Sequence, residues 1–111
     1  MSRLLILFIF LAILGISLIT PRSSGEGDEL SQEARIASIA RTCAACHGTD
    51  GRAVTTIPPI AGKPEVVLRA QLHAFQEDQI PGATVMPRLT KGYTQEELAA
   101  VAAYFANLDP Q

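Results

Sequence analysis

Cysteine occurs twice in this chain, three positions apart, and a histidine follows at once: Cys43-Ala44-Ala45-Cys46-His47. Any fold the chain adopts has to serve that motif. C-x-x-C-H is the attachment signature of a c-type haem, and each of its members has a chemical job. Two thiols at this spacing near a helix end can add to both vinyl groups of one porphyrin. The adjoining imidazole can approach the iron from the proximal side, and neutral imidazole is a common iron ligand. Rival uses of the same residues fit less well. A thioredoxin-like pair needs a strand–helix–strand setting, and no strand alternation surrounds this one. Zinc would want two further ligands, whereas His73 is the one other histidine and no cysteine is left. A disulfide across so small a loop would stabilise little.

The housing is small. The full chain has 111 residues, and its first residues read as an export segment. Met1-Ser2-Arg3 gives a positive start, and an apolar run over 4–19 spans about 24 Å as a helix. That is short of the roughly 20 residues a bilayer core needs, so a signal peptide is expected over 1–25, with cleavage before Glu26. Retention of 4–20 as a slightly short membrane anchor is the alternative. Either route puts the domain over 26–111 outside the cytoplasm, in the periplasm. A domain of about 86 residues is marginal without a staple, metal or cofactor. With no Trp and six Phe and Tyr together, aromatic packing alone cannot build much of a core. A covalent haem would supply the missing apolar mass. Losing Arg3 and Arg22 with the leader would take the formal charge from −2 to about −4, which argues against a nucleic-acid partner.

Beyond a small-residue linker over 23–27, residues 28–42 read as a first helix. Asp28, Glu29 and Glu33 stand at its start and Arg35 and Arg41 towards its end, as the helix dipole favours. Ile36, Ile39, Ala40 and Cys43 recur at i, i+3, i+4 and i+7, so one apolar face runs into the motif. Residues 48–62 are turn-like, and Pro58-Pro59 excludes a regular helix. This loop could offer a backbone carbonyl to the Nδ1 proton of His47, or be a rigid connection with no electronic role. Pro64 sits where a first helical residue would, and Leu68, Leu72 and Phe75 mark a second helix ending near Asp78. His73, beside that stripe, reads as a surface histidine rather than a second iron ligand.

Residues 79–92 read as a loop carrying Met86, the one methionine beyond the leader. A thioether there can reach the iron opposite His47, and with C-x-x-C-H upstream this is the favoured reading over Met as core filler. As ligand it would favour ferrous iron and close the sixth position. Electron transfer is then the natural use, and oxygen or peroxide chemistry is not. Thr94-Gln95-Glu96-Glu97 is a capping box, followed by a stripe of Leu98, Val101, Ala102, Phe105 and Leu108. Alanines on the first and last helices would let these cross closely. The expectation is an all-α domain of three to four helices around one haem.

With those residues placed, positions 26–108 resemble the class I c-type cytochromes. C-A-A-C-H-G-T-D-G, I-P-P-I-A-G and the Q-L-x-x-F helix are similar to one haem domain of dihaem cytochromes of sulfur and respiratory bacteria. The stretch over 83–94, A-T-V-M-P-R-L-T-K-G-Y-T, resembles the cytochrome subunits of flavocytochrome c sulfide dehydrogenases. The resemblance implies a class I cytochrome fold and one haem c. In it Cys43 and Cys46 are the thioethers and His47 and Met86 the axial ligands, with Pro58 as the residue whose carbonyl accepts the histidine proton. It further implies a heterodimer with an FAD-binding subunit that oxidises sulfide. This chain would then be no enzyme alone, but would take electrons from the flavin for a downstream acceptor. Two other classes remain: a free or tethered monohaem carrier, and a haem with an open site and peroxidase-like activity.

Overall fold

The computed structural model describes residue 3 and residues 25–110, with side chains from residue 27 onward in the second stretch. The signal or anchor expected over 1–25 lies, but for positions 3 and 25, outside the described residues. Four α-helices follow in order: α1 (Gly25–His47), α2 (Glu65–Gln76), α3 (Met86–Thr90) and α4 (Gln95–Ala106), with a 3-10 turn at Thr49–Gly51 after α1. Among the described residues there is no strand, and no helix is long and apolar enough to cross a membrane. The fold is all-α, as expected.

α1 is longer than its expected span at both ends. It starts inside the presumed linker and runs on past Thr42 through the whole motif. The reason is chemical: no proline or glycine interrupts residues 28–47, and Cys43-Ala44-Ala45-Cys46 is half alanine, the best helix former. Gly48, at φ 82°, is the first residue to leave the helix.

Ile39 and Ala40 of α1, Leu68 of α2 and Val101, Ala102 and Phe105 of α4 form the buried cluster. Ile36, Cys43, Ile60, Leu72, Tyr93 and Leu108 pack around it. Ala40 and Ala102 are 4% and 1% exposed, and two methyl side chains at a helix crossing allow close approach. Among the described residues the eight buried hydrophobics are helical or loop aliphatics except Phe105, and three are alanine. Such a core buries little area per residue, in keeping with a domain that needs an added apolar body.

Two helix ends differ from expectation. Pro64 caps α2 instead of opening it: its ψ of 131° is extended, and its carbonyl accepts the first amides, Val67 N at 3.0 Å and Leu68 N at 3.1 Å. At the other end Asp78 N bonds Phe75 O (3.2 Å) and Gln79 N bonds Ala74 O (2.8 Å), with Asp78 left-handed at φ 55°. This is a Schellman termination with aspartate in the place glycine usually takes. α3 was expected to be loop. It forms because Pro87 sits in the first turn, where its missing amide costs nothing.

The capping box of α4 is present in full: Glu97 N donates to Thr94 Oγ1 (3.2 Å) and Thr94 N to Glu97 Oε2 (2.9 Å). Arg35 Nε of α1 donates to the other carboxylate oxygen. One side chain thus closes the helix and ties it to α1. The Arg35 hydrogen bond, then the Thr94 amide, hold the Glu97 carboxyl below the usual glutamate range. A depressed carboxylate pKa stabilises the fold above the unfolded value and stops doing so as pH falls through the folded one. Urea midpoints of the wild type and Glu97→Gln should therefore differ most near neutrality and converge as the pH drops below about 4. A gap that stayed constant over that range would show that Glu97 is not held as a charge.

Candidate functional site

Because α1 continues to His47, its last turn carries Cys43, Cys46 and His47 at i, i+3 and i+4. Those positions share one helix face. Their surroundings grade along the turn. Cys43 packs at the edge of the core, where burial pushes its thiol up, while Cys46 is exposed and His47 half-buried. Neither cysteine is bridged.

The imidazole is fixed by the loop that follows. His47 Nδ1 lies 2.7 Å from the Pro58 carbonyl oxygen. A carbonyl can only accept, so Nδ1 carries the proton and the Nε2 lone pair of the neutral ring is left for a metal. Of the two readings left open for this loop, the carbonyl-offering one is what the geometry contains. Pro58 reaches this place because the loop is pinned on either side. Gly51 O accepts both Ile60 N (2.8 Å) and Ala61 N (3.1 Å), Gly62 N donates to Phe105 O (2.9 Å), and Arg52 Nε donates to Asp109 O (2.8 Å). Gly51 is buried at φ 75°, and a Cβ there would sit 2.7 Å from Ile60 Cγ1 and 2.9 Å from Phe105 Cδ1. Only glycine combines that backbone with that closeness.

Met86 is the first residue of α3 and is half-buried. Two residues unremarked in the sequence hold its segment. Thr90 Oγ1, on a residue 2% exposed, donates to Met86 O at 2.9 Å and reaches Pro87 O at 3.3 Å. Gln76 Nε2 on α2 donates to Thr90 O (3.1 Å) and Tyr93 O (2.9 Å). Lys91 pairs with Asp78 beyond the end of α2. The signal for Thr90 was its i+4 spacing from Met86, invisible once 79–92 was read as loop.

His73 is exposed and accepts at Nδ1 from Gln95 Nε2 (3.0 Å), as suits a surface histidine. It borders an open groove of about 790 Å³ between α2 and α4 that holds none of Cys43, Cys46, His47, Pro58 or Met86. Arg52 is engaged by Asp50 (3.0 Å) as well as by Asp109 O, and Lys91 by Asp78.

The residues present suit a haem on two counts. The donor set offers two thiols and an oriented imidazole on one helix turn, with a thioether elsewhere. The three segments 42–49, 53–62 and 79–87 contain no Asp, Glu, Lys or Arg, while Val54, Ile57 and Val85 in them are 99%, 37% and 58% exposed. Uncharged segments with uncovered aliphatic side chains fit an apolar plate. Zinc finds no such match, since among the described residues no three His, Cys, Asp or Glu side chains are placed so that they could hold a metal ion together.

The sequence profile of the cytochrome c family matches residues 33–109. Over 76 residues the chain is 42% identical to the cytochrome subunit of sulfide dehydrogenase of Chlorobaculum tepidum, covering 68% of each protein. It is 33% identical over 84 residues to cytochrome c-554(548) of Halomonas halodenitrificans, which spans 73% of this chain and 96% of that one. A thiosulfate dehydrogenase electron acceptor of Stutzerimonas stutzeri is 36% identical over 69 residues, 60% of this chain and 32% of that protein.

Gly51 offers a direct test of the loop. Gly51→Ala should destabilise the protein by about 1–3 kcal/mol, from the left-handed backbone and the forced contacts together. Gly27→Ala, in α1 with open space around its Cα, should instead be neutral or stabilise by up to about 1 kcal/mol. Denaturant midpoints of the two variants compare them, and equal effects would refute the pinned-loop account.

Proposed function

The chain belongs to the cytochrome c family, is an electron-transfer protein carrying one covalent haem c, and from that premise we propose that it is the haem subunit of a flavocytochrome c sulfide dehydrogenase. The observation that carries this reading is the 42% identity to the cytochrome subunit of a sulfide dehydrogenase. The likeness of residues 83–94 to the same subunits agrees with it. In this reading the partner is a flavoprotein subunit that oxidises sulfide, and the two form a heterodimer in the periplasm. Residues 1–25 serve there as a removed signal or a retained anchor, and 26–111 as the haem domain.

When bound, the haem supplies a one-electron Fe(III)/Fe(II) couple. Everything else falls to the chain. Cys43 and Cys46 hold the porphyrin through thioethers, which keep it in place in both oxidation states. His47 Nε2 would hold the iron, and the Pro58 carbonyl, by accepting the Nδ1 proton, sets the ring's orientation and raises its basicity. Met86 would offer its thioether to the iron as well, and a soft sulfur there would favour the ferrous state and raise the potential. With His47 and Met86 both holding the iron no site would be left for substrate, and the chain would relay single electrons between a flavin and a downstream acceptor.

A second reading is a free monohaem carrier, favoured by the match that spans 96% of cytochrome c-554(548). Gel filtration of the protein from its native source, following haem and flavin absorbance together, separates the two. Co-elution in fixed ratio, with sulfide reducing the haem, is the expected result; a lone haem peak of one small domain would establish the carrier instead. The ligand assignment has its own test. Met86→Ala should lower the reduction potential and let carbon monoxide bind the reduced protein. An unchanged potential with no carbon monoxide binding would remove Met86 from the iron.

A further inference from the structure

α3 has five residues, far below the length at which a helix is stable by itself. What keeps Met86 in place must come from outside it. The path is a chain of polar side chains leading back to the larger helices. Thr90 Oγ1 donates to the Met86 carbonyl (2.9 Å), closing the helix on its first residue. The Thr90 carbonyl accepts from Gln76 Nε2 (3.1 Å), whose second proton goes to Tyr93 O (2.9 Å). Gln76 Oε1 accepts from Gln95 Nε2, which fixes which way the amide faces. Gln76 itself stands in the last turn of α2, whose Leu68 is in the core and whose end is a Schellman termination. The amide thus uses both donors and its acceptor, and each bond bears on where α3 sits.

We propose that Thr90 and Gln76 are positioning residues that hold Met86 on the iron, an inference that rests on Met86 being the ligand. Neither touches the haem in this scheme. Their role is to shift the equilibrium between bound and released thioether by fixing the backbone that carries it. Thr90 ties the Met86 carbonyl to the far end of α3, and Gln76 ties that end to α2. Loss of either bond lets the segment swing away while α1 and α4 stay packed. A competing ligand then reads the change, because its apparent affinity scales with the fraction of open iron.

The experiment is an imidazole titration of the ferric haem-loaded protein, followed by loss of the visible band of the methionine–iron bond. The variants are Thr90→Val, Thr90→Ser, Gln76→Glu and Ile39→Val. Thr90→Val keeps the shape of a buried side chain and removes its hydroxyl. Gln76→Glu keeps the size and turns two donors into an acceptor facing carbonyls. Each should bind imidazole about tenfold more tightly than the wild type, one hydrogen bond's worth, and each should show a lower reduction potential. Thr90→Ser, which retains the hydroxyl, should stay within about twofold. Ile39→Val lightens the core away from α3 and should leave imidazole affinity unchanged though it lowers stability. Wild-type affinity in both Thr90→Val and Gln76→Glu would overturn the inference, as would an equal gain in Ile39→Val. Should Thr90→Val fail to fold around its haem, Gln76→Glu decides alone. Met86→Ala in the same titration separates this failure from that of the parent reading. If Met86→Ala leaves spectrum and affinity unchanged, Met86 is not the ligand; if it opens the iron while the clamp variants do not, only the clamp is wrong.

Discussion

Between His47 Nδ1 and the Pro58 carbonyl there are 2.7 Å, and much of the molecule can be understood as what is needed to keep that distance. The ring must leave a helix at its final residue, so α1 runs unbroken to His47 and stops at Gly48. The carbonyl must come back to it eleven residues later on a path with no regular structure. Prolines at 58 and 59 stiffen that path but cannot aim it. Aim comes from Gly51, which takes two amides of the returning strand of loop on one carbonyl, and from Gly62, which is tied to the end of α4. Pro58 acts through its backbone carbonyl, whose placement is inherited from the hydrogen bonds that pin Gly51 and Gly62.

The two halves of the site are secured by different physics. The histidine side is packed: Cys43 touches the core cluster, and Ile60 of the loop lies against it. The methionine side adds directional bonds to its packing: Pro87 and Thr90 are buried, and the short helix is tied through Thr90 and Gln76 and by an exposed Lys91–Asp78 pair worth little in water. Packing is strong and indiscriminate, whereas a few hydrogen bonds are weaker and directional.

Most of this fold was legible because its signals are local. The stripe from Ile36 to Cys43, the Thr94–Glu97 capping box and the stripe from Leu98 to Phe105 each reduce to spacing within one helix, and each is found where the spacing puts it. C-x-x-C-H named its cofactor outright. What was misjudged lay at ends and in short pieces. α1 was stopped at Thr42 because the motif was treated as a thing apart, although its alanines are helix formers. α3 was missed because five residues carry too little periodicity to register, and Pro87 reads as a breaker unless its place in the first turn is known. Pro64 was set one position too far into α2 for the same kind of reason. Gln76 and Arg35 could not have been found at all: a glutamine that serves two carbonyls 14 and 17 residues away, or an arginine that meets a cap 62 residues on, leaves no trace in its own neighbourhood.

Those separations bear on how the chain assembles. Bringing Arg35 to Glu97 closes most of the domain into one loop, and the entropy of doing so must be met before the α1–α4 contacts return anything. The Gln76 clamp closes a loop roughly a quarter as long, entirely within the second half of the chain. α3 and the turn that follows it are therefore suited to open and reclose as a local unit while α2 and the long-range crossing stay in place. Were Met86 the ligand, as proposed, the frequency at which the iron loses its thioether would be governed by the local stability of that segment and not by that of the protein as a whole. The two stabilities can then drift apart under selection.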